Sequence, residues 1–284
     1  MKKNKVIICI LLCLCIASAA VFAGCGGSQN SQGNSGEVTV EEQTVFDDQG
    51  IKAVVKGYGK YEGELVSFDR ALLIDVTNDT DKDISFCLRY CSVNGYMVES
   101  YYDTTVKARK TETCPASFDD SALEALGITT IADYGFRIVI QDAETYETLI
   151  ESDPISVKTS AYEDYEYKYD ESGTVLYDKD GVKIIAKEQT ENEFFGLCEN
   201  LYTANETDKN ISLIAVSCYV NGKEVQDFAF GSELAAGKHS IDLLSFGEAD
   251  RPEKIESLTL SFAIYDFDTG DTIVEKTEPA TVEF

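Results

Sequence analysis

Asp79, Asp81 and Asp83 stand at alternate positions in TNDTDKDIS (Thr77–Ser85), the opening rhythm of a calcium-binding loop. A second stretch, ANETDKNIS (Ala204–Ser212), spaces Glu206, Asp208 and Asn210 in the same way. An EF-hand loop also needs a glycine at its sixth position for the turn and a glutamate at its twelfth for bidentate closure. Counted from Asp79 those places hold Ile84 and Tyr90; counted from Glu206 they hold Ile211 and Ser217. Both stretches therefore read as polar turns, led by Asn78 or Asn205, with the next strand beginning at Ile84 or Ile211. Weak calcium binding by these carboxylates, as in millimolar extracellular modules, stays open.

Catalytic chemistry finds little to work with. His239 is the sole histidine, in AAGKHSID, and reads as an exposed turn residue with no motif linking it to a nucleophile. The chain has no Gly-x-Ser-x-Gly elbow, phosphate loop or cofactor motif. A glycosidase-type carboxylate pair cannot be singled out among 51 Asp and Glu. A non-enzymatic protein without a cofactor is the expectation, with an envelope-associated hydrolase of wall glycan or peptide as the alternative. A solute-binding lipoprotein ranks last, because the alternating strands and helices of two-lobed binding proteins are missing.

Tyrosines offer a different chemistry. In the connector AYEDYEYKYDESG (Ala161–Gly173), an extended chain would put Tyr165, Tyr167 and Tyr169 on one face and Glu166 and Lys168 on the other. Such a row could stack on sugar rings or a protein partner, or could pack as an edge strand across an interdomain joint. The packing role is favoured. Tyr101 and Tyr102 invite the same two readings.

These residues are positioned by elements that occur twice. VFDDQGIKAVV (Val45–Val55) matches LYDKDGVKIIA (Leu176–Ala186), and YCSVNGYMV (Tyr90–Val98) matches SCYVNGKEV (Ser217–Val225). The two TDK stretches lie 127 residues apart, as do the two VNG stretches. Phe136–Ile150 matches Ser257–Val274, aligning Asp142 with Asp266 and Thr145 with Thr269. Four landmarks in one order indicate a tandem duplication of domains, each of about 110 residues, a size that supports its own core. Period-two apolar patterning and VNG hairpin signals make each copy all-β, with seven or so strands in a sandwich. Gly50 and Gly181 mark a bend into the first strand of each copy. DDSALEALG predicts a short helix ending at Gly127, and GEADRPEKIESL a helical turn at the matching place in the second copy.

The N-terminus supplies the address. Lys2, Lys3 and Lys5 precede an apolar run and the small residues leading to Ala23-Gly24-Cys25, a secretory signal ending in a lipobox-like site. Cys25 is the expected lipidation site, and Gly26–Gly36 is a Gly/Ser/Asn/Gln tether of about 17–20 Å. Losing residues 1–24 removes three lysines and no acid, leaving 21 Lys and Arg against 51 acids, a net charge of −30. That surface excludes nucleic acid as a partner and makes the lipid, rather than the protein face, the membrane contact.

Cysteine counting is indecisive. Cys9, Cys13 and Cys15 leave with the signal, and Cys87, Cys91, Cys114, Cys198 and Cys218 remain. Five cannot all pair within the chain. A Cys198–Cys218 bridge, one from Cys114 to Cys87 or Cys91, and buried free thiols all stay open, and no zinc set is spaced correctly.

The set YDKDGVKI, NETDKNIS, YVNGKEV, LAAGKHS and FAIYDFDTGDTIV is similar to β-sandwich domains of unknown function, often in tandem, in Firmicutes/Clostridia-type Gram-positive lipoproteins. The resemblance covers both copies and is best in the second; VKARKTE replaces LAAGKHS in the first. It implies no catalytic residues. The fold class read here is all-β, two tandem immunoglobulin-like β-sandwich domains after a lipoprotein signal peptide (1–24) and a lipidated, flexible tether (25–44). The sandwiches span 45–158 and 174–284, with an acidic, Tyr-rich linker at 159–173. The expected function is a membrane-anchored extracytoplasmic binding or scaffolding module for a protein or glycan ligand.

Overall fold

The computed structural model describes residues 38–63, 66–100, 103–118 and 120–284. The signal peptide, Cys25, most of the tether, and Tyr101 and Tyr102 lie outside them.

The first half runs β1 (Gln43–Asp48), β2 (Ile51–Glu62), β3 (Ser67–Asn78), β4 (Ile84–Val93), β5 (Tyr96–Met97), β6 (Thr104–Val106), β7 (Lys110–Ala116), α1 (Asp120–Ala125), β8 (Asp133–Asp142), β9 (Thr148–Glu151) and β10 (Ile155–Lys158). The second half runs β11 (Thr174–Lys179), β12 (Val182–Asn192), β13 (Gly196–Asn205), β14 (Ile211–Val220), β15 (Lys223–Val225), β16 (Phe228–Ala229), β17 (Gly231–Leu234), β18 (Lys238–Phe246), β19 (Ser257–Asp266), β20 (Thr272–Val274) and β21 (Ala280–Glu283). The protein is all-β with several antiparallel sheets.

The repeated sequence signals become repeated turns. Gln49-Gly50, Asn94-Gly95, Asp180-Gly181 and Asn221-Gly222 each carry two positive φ values, between 49° and 84°, and close two-residue hairpins. The asparagines also clamp a distant segment. Asn94 Oδ1 accepts from Ala132 N at 2.7 Å, and Asn221 Oδ1 from Glu256 N at 2.7 Å, just ahead of β8 and β19. Helix α1 ends as the sequence expects: Gly127 N donates to Glu124 O and Ile128 N to Leu123 O, with Gly127 at φ 70°. The expected helical turn in the second copy is absent. Residues 248–250 form a plain turn instead, where the Asp250 carboxylate accepts from Gln226 N and Asp227 N.

Three sheets carry the architecture. β1-β2-β3-β7 form one, β14 and β19 with β15, β17, β20 and β21 form another, and an eleven-stranded sheet lies between. In that central sheet β4 and β8 of the first half meet β18, β13, β12 and β11 of the second. The seam is a parallel contact of β5 with β18, Tyr96 opposite His239, and His239 N donates to Gly95 O at 3.0 Å. The halves are thus fused by a shared sheet rather than strung on a linker.

Alternation along the strands assigns the faces. His239 stands opposite Tyr96 and Ala204, and Tyr96, Ala204, Tyr202 and Ile185 belong to one apolar core with Ile74, Phe86 and Ile138. Leu201, Ile184 and Leu244 turn to the other face and a second core with Leu213, Leu260 and Phe262. The four-stranded and six-stranded sheets therefore cover opposite faces of the central one. Each buried Leu, Ile or Phe contributes about 1.5–3 kcal/mol.

Candidate functional site

The two TDK stretches are matching turns, and their buried atoms are backbone and amide rather than ligands. Asn78 and Asn205 are fully buried. Asn78 Nδ2 donates to Lys82 O (2.8 Å), and its Oδ1 accepts from Thr80 Oγ1 (2.7 Å) and Thr80 N (3.0 Å). Asn205 repeats this with Lys209 O (2.8 Å) and Thr207 Oγ1 (2.7 Å). Lys82 then pairs with Asp142 and Lys209 with Asp266, the latter at 2.8 Å, tying each TDK turn to the aspartate aligned between the copies. Those bonds hold both aspartates below their usual carboxylate range, with backbone donors first for Asp142 and Lys209 first for Asp266.

The acidic candidates go separate ways. Asp83 is engaged by Lys107 Nζ and Ala108 N, Asn210 by Asp268 and Ala236 N, while Asp79 and Asp81 face solvent. Among the described residues no three His, Cys, Asp or Glu side chains group to hold a metal ion. Glu206 and Asp208 instead rim a cleft.

That cleft has a volume of about 430 Å³. It opens at the turn end of the second half, between β11 and β20, which are the outer strands of two different sheets. Val182, Ile211, Ile264 and Val274 floor it, and Tyr177 and Ile273 flank it, Ile273 being 44 % exposed. Asp180, Glu206, Asp208, Lys179 and Lys209 form the rim. The Lys209 ammonium is held by Asp266, while no ion pair engages Asp180, Glu206 or Asp208 among the described residues. Burial, helped by Asp180, raises the Tyr177 phenol pKa. An apolar floor under a rim of three carboxylates and two lysines offers surfaces to an amphipathic ligand carrying a cationic group.

The connector tyrosines pack rather than protrude. Residues 165–172 pair with no strand, yet the expected alternation holds: Tyr165, Tyr167 and Tyr169 are half-buried, while Glu166 and Lys168 are exposed and ion-paired with each other. Tyr167 OH donates to Asp133 Oδ2 at 2.7 Å, which with burial raises its pKa, and Tyr165 meets the Tyr167 ring edge-on. Tyr169 stacks on His239 at 3.6 Å between ring centroids, and its hydroxyl donates to Asn94 O at 3.4 Å. A Cβ at Gly95, whose φ is 84°, would collide with that hydroxyl. Lys187 fastens the far end to Asp170 and Ser172. The segment is a strap across the seam.

His239 corrects a sequence expectation. It is buried, not exposed, because β18 starts at Lys238 and the ring turns into the seam. It shares a 2.7 Å hydrogen bond with the Tyr202 hydroxyl through Nδ1, and burial pushes its pKa down to about 4. It is a neutral packing group. The five cysteines are free and buried. Burial pushes Cys91, Cys114 and Cys218 to about 12, so these thiols lack nucleophilic thiolate character.

Sequence reasoning passed over Tyr177, Lys179 and Ile273. The available signal was the pairing of ETLIE with DTIVE, where exposed Leu149 and Ile273 occupy equal places outside either core. Glu199 also escaped notice. It is fully buried on β13 with neither carboxylate oxygen bonded, and burial followed by nearby Glu188 raises its pKa to about 8. It does not line the cleft.

No protein-family model matches the chain, and no curated protein matches it in sequence. Among solved structures it is similar to the YadV chaperone, at 11 % identity over 75 % of this chain and 92 % of that one, with a TM-score of 0.24. It is also similar to a Salmonella enterica SafA pilin–SafB chaperone complex, at 10 % identity over 75 % and 89 %, with a TM-score of 0.22. Bacteroides uniformis beta-glucuronidase 2 is matched at 10 % identity over 83 % of this chain and 26 % of that one, with a TM-score of 0.24. Likenesses at this level carry no argument about function, and the all-β fold stands on the strands themselves.

Proposed function

We propose that this chain is a lipid-anchored extracytoplasmic protein whose two immunoglobulin-like β-sandwiches serve as a non-enzymatic binding module. Recognition takes place in the cleft between β11 and β20. The observation that carries this reading is the cleft's composition: an aliphatic floor, an exposed Ile273 and carboxylates without ion-pair partners, all on regular strands and tight turns. Rigid edges of this kind present a ligand surface at low entropic cost. The anchor rests on the sequence around Cys25, and its tether spans about 17–20 Å on average from the attachment point.

Equilibrium binding of the soluble fragment 38–284 to purified wall polysaccharide and to defined peptides tests the module. Saturable binding lost on Ile273→Asp, without turnover of the ligand, is the expected result. Cleavage of a wall glycan or peptide would replace this reading with the hydrolase. For the anchor, mass spectrometry of the mature N-terminus is expected to show a diacylated Cys25; an unmodified cysteine there contradicts it.

A further inference from the structure

The ligand class follows from which strands wall the cleft, taking the cleft as the recognition site. β11 pairs only with β12, and β20 only with β19, so each leaves one edge of backbone N–H and C=O groups without a strand partner. These edges belong to two different sheets and flank one opening. An unpaired edge is a template for a further strand. In an added strand, side chains alternate between two faces. Of the cleft's lining, Val182, Ile264 and Ile273 are available to the aliphatic side chains of such a strand, and Asp180, Glu206 and Asp208, beside Lys179 and Lys209, to its polar ones. The first half repeats the pattern in sequence, with β1 and β9 as outer strands, Leu149 48 % exposed in the place of Ile273, and Asp48 where the second copy has Lys179.

We infer that the cleft takes an extended peptide segment alternating aliphatic and basic residues, which adds as a strand to the β20 or β11 edge. Its aliphatic side chains rest on the floor and its ammonium or guanidinium groups meet the carboxylate rim. The acidic mature chain, with a net charge of −30, steers such a segment toward it, so the on-rate falls as salt rises. A neutral glycan would use the floor and leave the carboxylates unmatched.

The test is fluorescence anisotropy of a labelled short peptide alternating leucine and lysine against fragment 38–284. Saturable binding is expected, weakened about tenfold or more by Ile273→Asp and by the combined Asp180→Asn, Glu206→Gln and Asp208→Asn changes. All four positions are exposed, and thermal melts of the variants verify folding. Two altered peptides need no protein variant. One replaces lysine by glutamate, and the other N-methylates alternate backbone amides; both are expected to lose binding. Equal binding by either altered peptide overturns the inference. Wall polysaccharide binding that Ile273→Asp abolishes, with no peptide binding, overturns the strand-adding ligand and leaves the binding reading intact. Absence of binding by both overturns the two together.

Discussion

At the scale of single residues, buried polar groups set the behaviour. Glu199 is an acid whose folded pKa, about 8, exceeds its ordinary 4.5, so folding binds its proton more tightly than the unfolded chain does. Stability is therefore lost as pH rises from about 4.5 through 8. Glu199→Gln keeps the shape and removes the charge. Its advantage in thermal melts is expected to grow from pH 5 to pH 9 and reach roughly 2–4 kcal/mol, allowing for water reaching the charged form. A pH-independent difference would show that the carboxyl is already solvated. Asn205 is the opposite case, a buried amide with every valence used by Lys209, Leu234, Ala235 and Thr207. Asn205→Ala strands those partners and is expected to cost about 2–4 kcal/mol in urea unfolding, with Asn78→Ala behaving alike. The sequence marked both asparagines as turn leaders, but not that their amides would be sealed inside. Alternate acidic residues draw the eye, whereas burial of the asparagine just ahead of them depends on the neighbouring strands.

Among elements, the two VNG hairpins were legible because Asn-Gly encodes positive φ locally, and helix α1 because Gly127 ends it; Gly50 and Gly181, read as a bend into the first strand, instead close the hairpins β1–β2 and β11–β12. What stayed hidden depends on tertiary partners. The connector's period-two tyrosines suggested a strand; the alternation is present, but Tyr167 bonds Asp133 and Tyr169 stacks on His239, so side-chain contacts rather than a strand ladder hold the segment. The second copy has a plain turn at 248–250 in place of the expected helical turn, and its approach to β19 is held by Asn221 and by Gln189, whose Nε2 donates to Ile255 O. Tyr169→Ala removes the ring that covers His239 and abuts Gly95. Hydrogen exchange is expected to quicken across 165–172 and at the β5–β18 contact, while hairpin β1–β2 keeps its protection. Unchanged exchange at the seam would show that the strap is passive.

For the whole molecule, the duplication was readable from matched landmarks, but the fusion of its halves was not. Nothing local announces that Tyr96 and His239 will pair in parallel, 143 residues apart. Tyr202, Ala204 and Ile185 lend the second half's strands to the first half's core. The halves therefore share stability, and calorimetry of fragment 38–284 is expected to give one transition with matching calorimetric and van't Hoff enthalpies. Two resolved transitions would mean that the seam contributes little. A fused body also fixes the cleft relative to the chain's entry, where Val40 bridges Thr159, so the tether sets the recognition end's reach. The most direct measurement is amide chemical-shift mapping of isotope-labelled fragment 38–284 titrated with the alternating leucine–lysine peptide. Perturbations confined to β11, β20, the Asp180–Gly181 turn and residues 206–209, and lost on Ile273→Asp, are the expected result. Perturbations centred on the tyrosine strap, or none at concentrations where the peptide saturates, would contradict recognition at the cleft.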